Sequence, residues 1–504
     1  MTPTPMRRAG LYALCGICLV LIGGCGQPSR EVLRFGLQTM PVTLDPRFAT
    51  DAASARIDRL LYQRLVDFDD RSRVVPALAT WRQVTPRQYR FHLRDGDNRF
   101  DNGAPVTAAD VKATFESVMD PGTASPLRAA VAHVTRIETP DTATVDFFLD
   151  APDPLFPGKL DIGILPAPLI RADHPFNRDP VGSGPFAFAA WPSEDRLRLK
   201  RRADGQVIEF DEVPNPTVRV LKLLRGEIDM LQNDLPFELV RYLAHHQGVH
   251  VLRSKGTNFT YLGFNMRDPV VGRLAVRKAI AHALDRDAIT KYVFAGAART
   301  ANAILSPSHW AGAPELQPYA YDPDAARALL AAAGFDTAHP ARITYKTSSD
   351  PFRVRLATII QSQLAAVGVD VDIRSYDWGT FYGDIKTGRF QMYSLSWVGV
   401  KSPDILRTAF YSTSLPPNGA NRGRFQNAAV DRLIDAAEST PDAAVQAADY
   451  RRVQRILLEQ LPYVPLWYED HVYIAKNDIA GYSVARDGNY DGLVNVHRVD
   501  SSGH

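Results

Sequence analysis

The chain has 504 residues, 45% of them hydrophobic, with 58 basic and 56 acidic side chains and a formal net charge of +2. That length is enough for two or three lobes with sizeable cores. Near-balanced charge without a long basic run argues against nucleic acid as a partner, and the scattered prolines and glycines form no low-complexity tract.

At the amino terminus Arg7 and Arg8 precede an apolar run over 11–22, too short for a comfortable permanent membrane span. Ile22-Gly23-Gly24-Cys25 follows. This order resembles a bacterial lipobox, in which small residues admit a peptidase and the cysteine sulfur takes a diacylglyceryl group. It predicts a signal peptide at 1–24, lipidation at Cys25, a polar tether over 25–30 and an extracytoplasmic protein held to a membrane by its lipid anchor. The alternative is an ordinary cleaved signal peptide. All three cysteines (Cys15, Cys18 and Cys25) lie in this head, so the rest of the chain has no disulfide, thiolate metal site or cysteine nucleophile. Without Arg7 and Arg8, basic and acidic residues balance.

Residues 31–36 alternate weakly and predict a first strand. Ile57, Leu60, Leu61 and Leu65 have helical spacing, predicting a helix over 55–66. Strict alternation over 89–94 predicts a half-buried strand. Thr107 and Asp110 form a capping-box pattern opening a helix over 108–118, with Val111, Phe115 and Val118 on one face. After a strand at 142–149 comes the turn Pro180-Val181-Gly182-Ser183-Gly184-Pro185, then an aromatic strand with Phe186, Phe188 and Trp191. Helix 217–224, short strand 228–231, strand 259–265 and helix 273–284 follow. Asp322 at the N-cap, Pro323 at the first helical position and Gly334 beyond the end bound the clearest helix. Strand 343–346, helix 352–367 and strand 369–375 make a β-α-β pattern. Helix 378–386, strand 390–397, helices 428–437 and 445–461, and strand 464–467 complete it. The alternation predicts an α/β or α+β chain with mixed sheets.

There is no Gly-x-Ser-x-Gly elbow, His-Glu-x-x-His pair or P-loop. The expectation is therefore no catalytic residue, no metal and no cofactor. His245, His246 and His250 read as solvated, and the acidic stretch 67–70 lacks calcium-loop spacing.

Several segments in order along the chain resemble the family 5 extracellular solute-binding proteins of ABC importers, which bind oligopeptides, dipeptides and nickel. They include Leu78-Ala79-Thr80-Trp81, Tyr89-Arg90-Phe91-His92-Leu93-Arg94-Asp95-Gly96, Phe100-Asp101-Asn102-Gly103 and Pro105-Val106-Thr107-Ala108-Ala109-Asp110-Val111. Further matches are Val181-Gly182-Ser183-Gly184-Pro185-Phe186, Gly226-Glu227-Ile228-Asp229, Arg277-Lys278-Ala279-Ile280 and Leu461-Pro462-Tyr463-Val464-Pro465-Leu466. The resemblance implies a periplasmic-binding-protein-like α/β fold (type II, cluster C), with two hinged lobes plus an extra α/β domain. Lobe I would comprise 31–49, 181–263 and 478–504, the extra domain 50–180, and lobe II 264–477. It also implies a monomeric substrate-binding component, not an enzyme. Such a component captures an oligopeptide or modified peptide by lobe closure and delivers it to permease and ATPase subunits. The alternative is a non-peptide solute on the same scaffold: an anionic metabolite, opine, sugar or metal chelate.

By the same resemblance, ligand-binding candidates fall in four segments. Asn233 and Asp234 lie where family members place a peptide-backbone contact, and an amide can both donate and accept; a cap before Pro236 is the structural alternative. Phe259 and Tyr261 lie near the lobe crossover, where Tyr261 reads equally well as core. Ser396, Trp397, Gly399, Val400 and Lys401 form the third segment. Peptide-binding members carry Gly-Trp-x-Ala/Gly-Asp there, with the Asp pairing the ligand's α-ammonium group. Val400 stands in that place here. An unpaired buried ammonium is costly, so this departure puts a ligand anchored by a free amino terminus in question. Lys401 either attracts a carboxylate or phosphate or snorkels to solvent, and Asp404 offers a nearby carboxylate. Asn421 and Arg422, in a polar loop, either border the cleft or belong to the surface.

Overall fold

The computed structural model describes residues 32–499 apart from positions 97, 337 and 418. The expected leader, Cys25 and the tether lie outside the described residues. Among the described residues no helix is long and apolar enough to cross a membrane.

Local chemistry sets the elements. Thr107 and Asp110 form the reciprocal capping box at the start of helix Ala108–Met119. Asp322 accepts from the Ala325 amide, and Pro323 opens helix Pro323–Ala332. Helix Ala52–Leu61 begins earlier than its apolar spacing predicts, because Asp51 caps it through the Ser54 amide. Strand Ala341–Ser348 alternates buried and accessible residues and pairs in parallel with Val369–Tyr376, across helix Pro351–Ala365. That is the β-α-β unit read from the sequence.

Among the described residues the strands assemble into an 11-stranded mixed sheet, a separate four-stranded one and two two-stranded pairs, one of them Val66–Phe68 with Val74–Pro76. In the large sheet, Val32–Leu37, Met230–Gln232 and Val207–Glu212 lie toward one end, and Met392–Trp397 and Ala341–Ser348 toward the other. Two long antiparallel strands, Val249–Phe264 and Tyr463–Lys476, run between the ends. Their register breaks between Ser254 and Asn258 and again between Thr260 and Tyr261. At the first break Gly256 lies so close to its partner that a Cβ would stand 2.1 Å from the Glu469 carbonyl oxygen; only glycine permits that approach. A bulge of this kind bends a ribbon and divides the sheet into two halves.

Each half has its own core. Leu33, Phe35, Phe210, Met230 and Tyr473 cluster at the first end. At the other, Leu262, Phe264, Ile280, Ile343 and Trp467 pack on one face, and Phe259, Tyr261, Tyr393, Tyr463 and Tyr468 on the opposite face. The four-stranded sheet (Ala79–Thr85, Gln88–Leu93, Thr144–Leu149 and Val134–Glu138) packs on helix Ala108–Met119 around Phe91, Phe115 and Phe147. The strand predicted over 464–467 in fact continues to Lys476, because it is hydrogen-bonded to neighbours along its whole length. Its polar middle is tolerated because Arg353 pairs with Glu469 at 2.9 Å and Arg299 with Asp470 at 3.0 Å.

Candidate ligand-binding cleft

The two halves of the large sheet and the four-stranded unit converge on the segment that follows strand Met392–Trp397. Gly399 turns the chain there at φ +67° and is exposed. Val400 folds back, half-buried, against the second half's aromatic core, where Leu155 of the four-stranded unit also packs. The Lys401 ammonium then reaches across to Asp487, 3.4 Å away, and lies 5.3 Å from the centre of the Phe68 ring. His309 Nε2 donates to the Lys401 carbonyl at 3.1 Å. Arg486 donates to Ser308 Oγ at 2.8 Å and to the Asp70 carbonyl at 3.3 Å, and the Trp310 amide donates to the Arg71 carbonyl at 2.9 Å. All three parts are thus joined around one seam.

Electrostatics follow the geometry. Burial alone would raise the Asp487 pKa, but Lys401 and Arg59 outweigh it and hold the carboxyl below its ordinary value. Asp404 goes the other way: burial raises it, with Lys159 only partly opposing. Burial drives His309 down to about 4, so the imidazole is neutral, donating through Nε2 and accepting the Ala311 amide at Nδ1.

Asn233 and Asp234 follow the short strand Met230–Gln232 of the first half. Both have left-handed backbones, at φ +61° and +55°, a conformation costly for residues with a Cβ. The loop is held nonetheless. Asn233 exchanges backbone and side-chain hydrogen bonds with Val472, and its amide donates to His471 Nδ1 at 3.0 Å. The buried Arg219 guanidinium donates to the Asp234 carbonyl. Asp234 is exposed, yet surrounding protein raises its pKa against the pull of Arg56 and Arg219. His471, which the sequence did not single out, is buried, its pKa lowered to about 4 by burial first and Arg56 second. Its Nε2 meets no partner among the described residues.

In the second half the candidate residues divide between the two faces of the sheet. Ser396, opposite Thr260, shares a 2.6 Å hydroxyl contact with it, and Thr260 donates to Glu469 at 2.9 Å. Glu469 also accepts from Arg353 at 2.9 Å. Burial would raise its pKa, but these partners bring it below the ordinary value. On the other face Phe259 and Tyr261 are fully buried, Tyr261 stacked on Tyr463 at 3.8 Å. Arg422 donates to Tyr261 and lies 4.9 Å from the centre of the Trp397 ring. Asn421, also fully buried, staples its loop through the Tyr411 and Phe425 backbones. Trp397 is half-buried, and its indole N–H meets no acceptor among the described residues. The structure places Val400 and Lys401 at the seam, with Trp397 packed in the same cluster as Val400, while Asn233 is tied to His471 and Val472 and Asp234 to Arg219. It places Phe259, Tyr261, Asn421 and Arg422 behind that wall. Lys401 and Asp487 are far apart in sequence and carry no local pattern, so only three-dimensional proximity reveals the pair.

Two sheet halves joined by two bent strands, with a third unit closing against them, define the two-lobed periplasmic-binding-protein fold with its extra α/β domain. The chain belongs to the bacterial extracellular solute-binding proteins, family 5, whose middle region matches residues 73–416. It is similar to the dipeptide-binding protein of Escherichia coli (strain K12), 25% identical over 520 residues covering 95% of this chain and 97% of that one. Among solved structures it is similar to the periplasmic binding protein DppA from Helicobacter pylori in complex with the peptide STSA. That match has 26% identity and a TM-score of 0.76, covering 93% of this chain and 98% of that one. NikZ from Campylobacter jejuni in complex with Ni(L-His) shares the fold, with a TM-score of 0.79 at 23% identity over 94% of this chain and all of that one.

Proposed function

We propose that this protein is the substrate-binding component of an ABC importer, taking a short or modified peptide into the seam by lobe closure and passing it intact to permease and ATPase subunits. The observation that carries the reading is the convergence of both lobes and the extra domain on Lys401, in a chain similar to a dipeptide-binding protein over nearly its full length. Asp234, Ser396, Trp397 and Gly399 would line the guest. Asn233, Phe259, Tyr261, Asn421 and Arg422 would hold those residues in place. Lys401, already neutralised by Asp487, is a poor anchor for an anionic solute, which favours a peptide over an anionic metabolite. Residues 31–49, 181–263 and 478–504 would form lobe I, 50–180 the extra domain and 264–477 lobe II. The protein would act as a monomer outside the cytoplasm, tethered through a lipid on Cys25.

Mass spectrometry of whatever co-purifies with the mature protein tests this reading. Recovery of peptides supports it. Recovery of a sugar, opine or metal chelate in their place overturns the peptide assignment.

A further inference from the structure

The acidic stretch 67–70 has a structural use that the solute site does not explain. Val66–Phe68 pairs antiparallel with Val74–Pro76, and Asp69 sets the tip between them. Its carboxylate accepts from the Arg71 and Arg73 amides at 2.8 and 2.9 Å and from the Arg73 side chain at 2.8 Å. Its carbonyl accepts the Ser72 amide at 2.8 Å, with Ser72 in the left-handed region at φ +59°. An aspartate that ties down the amides following it presets a turn before any partner arrives. The amides at 71, 72 and 73 are thereby spent inside the turn, and the carbonyls of Asp70 and Arg71 are left to other segments.

The hairpin's base is equally fixed. Asp67 pairs with Arg59 at 2.8 Å and Arg64 at 3.2 Å, and Arg59 also pairs with Asp491 at 2.7 Å, beside Tyr490 of the first half's core. Val66 belongs to the core of the four-stranded unit, with Val74 packed on it. Gly158 of that unit comes so close that a Cβ there would stand 3.0 Å from the Val74 side chain. The hairpin is thus a rigid arm carried by the four-stranded unit and the first half.

Its tip reaches the second half. The Arg71 carbonyl accepts the Trp310 amide at 2.9 Å. The neighbouring His309 and Ala311 amides are satisfied within their own turn, by the Ser306 carbonyl and by His309 Nδ1, so the Trp310 amide is the one held out to the hairpin. Arg486, between Val484 and Tyr490 of the first half's core, braces the tip from the other side. It donates to the Asp70 carbonyl at 3.3 Å, and the same guanidinium crosses to Ser308 Oγ of the second half at 2.8 Å. Nearer the base, the Phe68 ring faces the Lys401 ammonium at 5.3 Å. Hydrogen bonds of this kind are modest in net worth because water competes for both partners, so they can break and re-form as lobes swing.

We propose that the hairpin is a latch for the closed receptor. Carried by the first half, its preset tip and the Arg486 beside it meet Trp310 and Ser308 as the lobes close, and slow the guest's escape without contacting the guest. The latch rests on the capture-by-closure reading for its motion. Mature wild type, Asp69→Ala and, separately, Arg486→Gln are loaded with a tryptic digest of casein and diluted into peptide-free buffer. Asp69→Ala frees the tip, and Arg486→Gln removes the bridging donor. Each should release peptide roughly tenfold faster than the wild type, with the same set of peptides retained and thermal unfolding unchanged. Hydrogen exchange in the fragment that holds Trp310 should slow on loading in the wild type, and less so in Asp69→Ala. Release at the wild-type rate by both variants, or a changed choice of peptides, overturns the latch and leaves capture standing. A wild type that retains no peptide overturns capture and the latch together.

Discussion

Removing the Lys401 ammonium, as in Lys401→Met, should loosen the closed receptor. Its contact with Asp487 spans 3.4 Å between side chains that are 22% and 27% exposed. At that spacing the gross attraction in a partly screened environment is about 5 kcal/mol. Desolvation of both ions offsets most of it, leaving about 1–2 kcal/mol net. The Phe68 ring, 5.3 Å away, adds about 0.5–1 kcal/mol. If these contacts form only when the lobes meet, Lys401→Met disfavours closure by about 2 kcal/mol, and affinity for the co-purified solute falls roughly thirtyfold. Calorimetric titration of Lys401→Met, Asp487→Asn and the double variant isolates the pair. The coupling should be about 1–2 kcal/mol and shrink with added salt. Unchanged affinity in Lys401→Met, or a coupling indistinguishable from zero, would show that the seam does not close on the guest.

Trp397→Ala should weaken solute binding with little loss of secondary structure, read by titration and circular dichroism; undiminished affinity would remove Trp397 from the site. Gly182→Ala forces a methyl group to within 1.9 Å of a backbone oxygen and should destabilise the fold by about 3 kcal/mol, seen as a lower denaturation midpoint, while an unchanged midpoint would mean the turn can yield. His309 and His471, both buried, have native pKa values near 4, against about 6.5 in the unfolded chain. Between those values the unfolded chain binds more protons, so stability is intact above about pH 6.5 and falls as pH drops toward 4, by up to about 3 kcal/mol per histidine. Denaturant titrations across that range should show a shallower pH dependence in His309→Gln and His471→Gln, and a slope unchanged in both would contradict the assignment.

Legibility in the sequence tracked locality. The capping box at Thr107, the Asp322–Pro323 helix start and the strand predicted over 343–346 are decided by neighbours a few residues away, and the structure realises them, the strand running longer as Ala341–Ser348. The full length of strand Tyr463–Lys476 was not legible. Glu469 and Asp470 break its apolar pattern, and the arginines that neutralise them come from segments more than a hundred residues distant. The same holds for the cleft. Trp397 and Lys401 were found through a family pattern, but Asp487, Phe68 and His471 carry no local signature of their part in the seam. Tyr261 showed its aromatic character in the sequence, but whether it faced solute or core depended on which side of strand Val249–Phe264 meets Tyr463.

Small-angle scattering of the mature protein, alone and with a tryptic digest of casein, tests capture by closure most directly. The radius of gyration should contract on adding the digest, and the bound peptides should be recovered by mass spectrometry with their masses unchanged. Superimposable curves with no peptide retained, or peptides returned in fragments, would contradict a receptor that encloses its guest and hands it on whole.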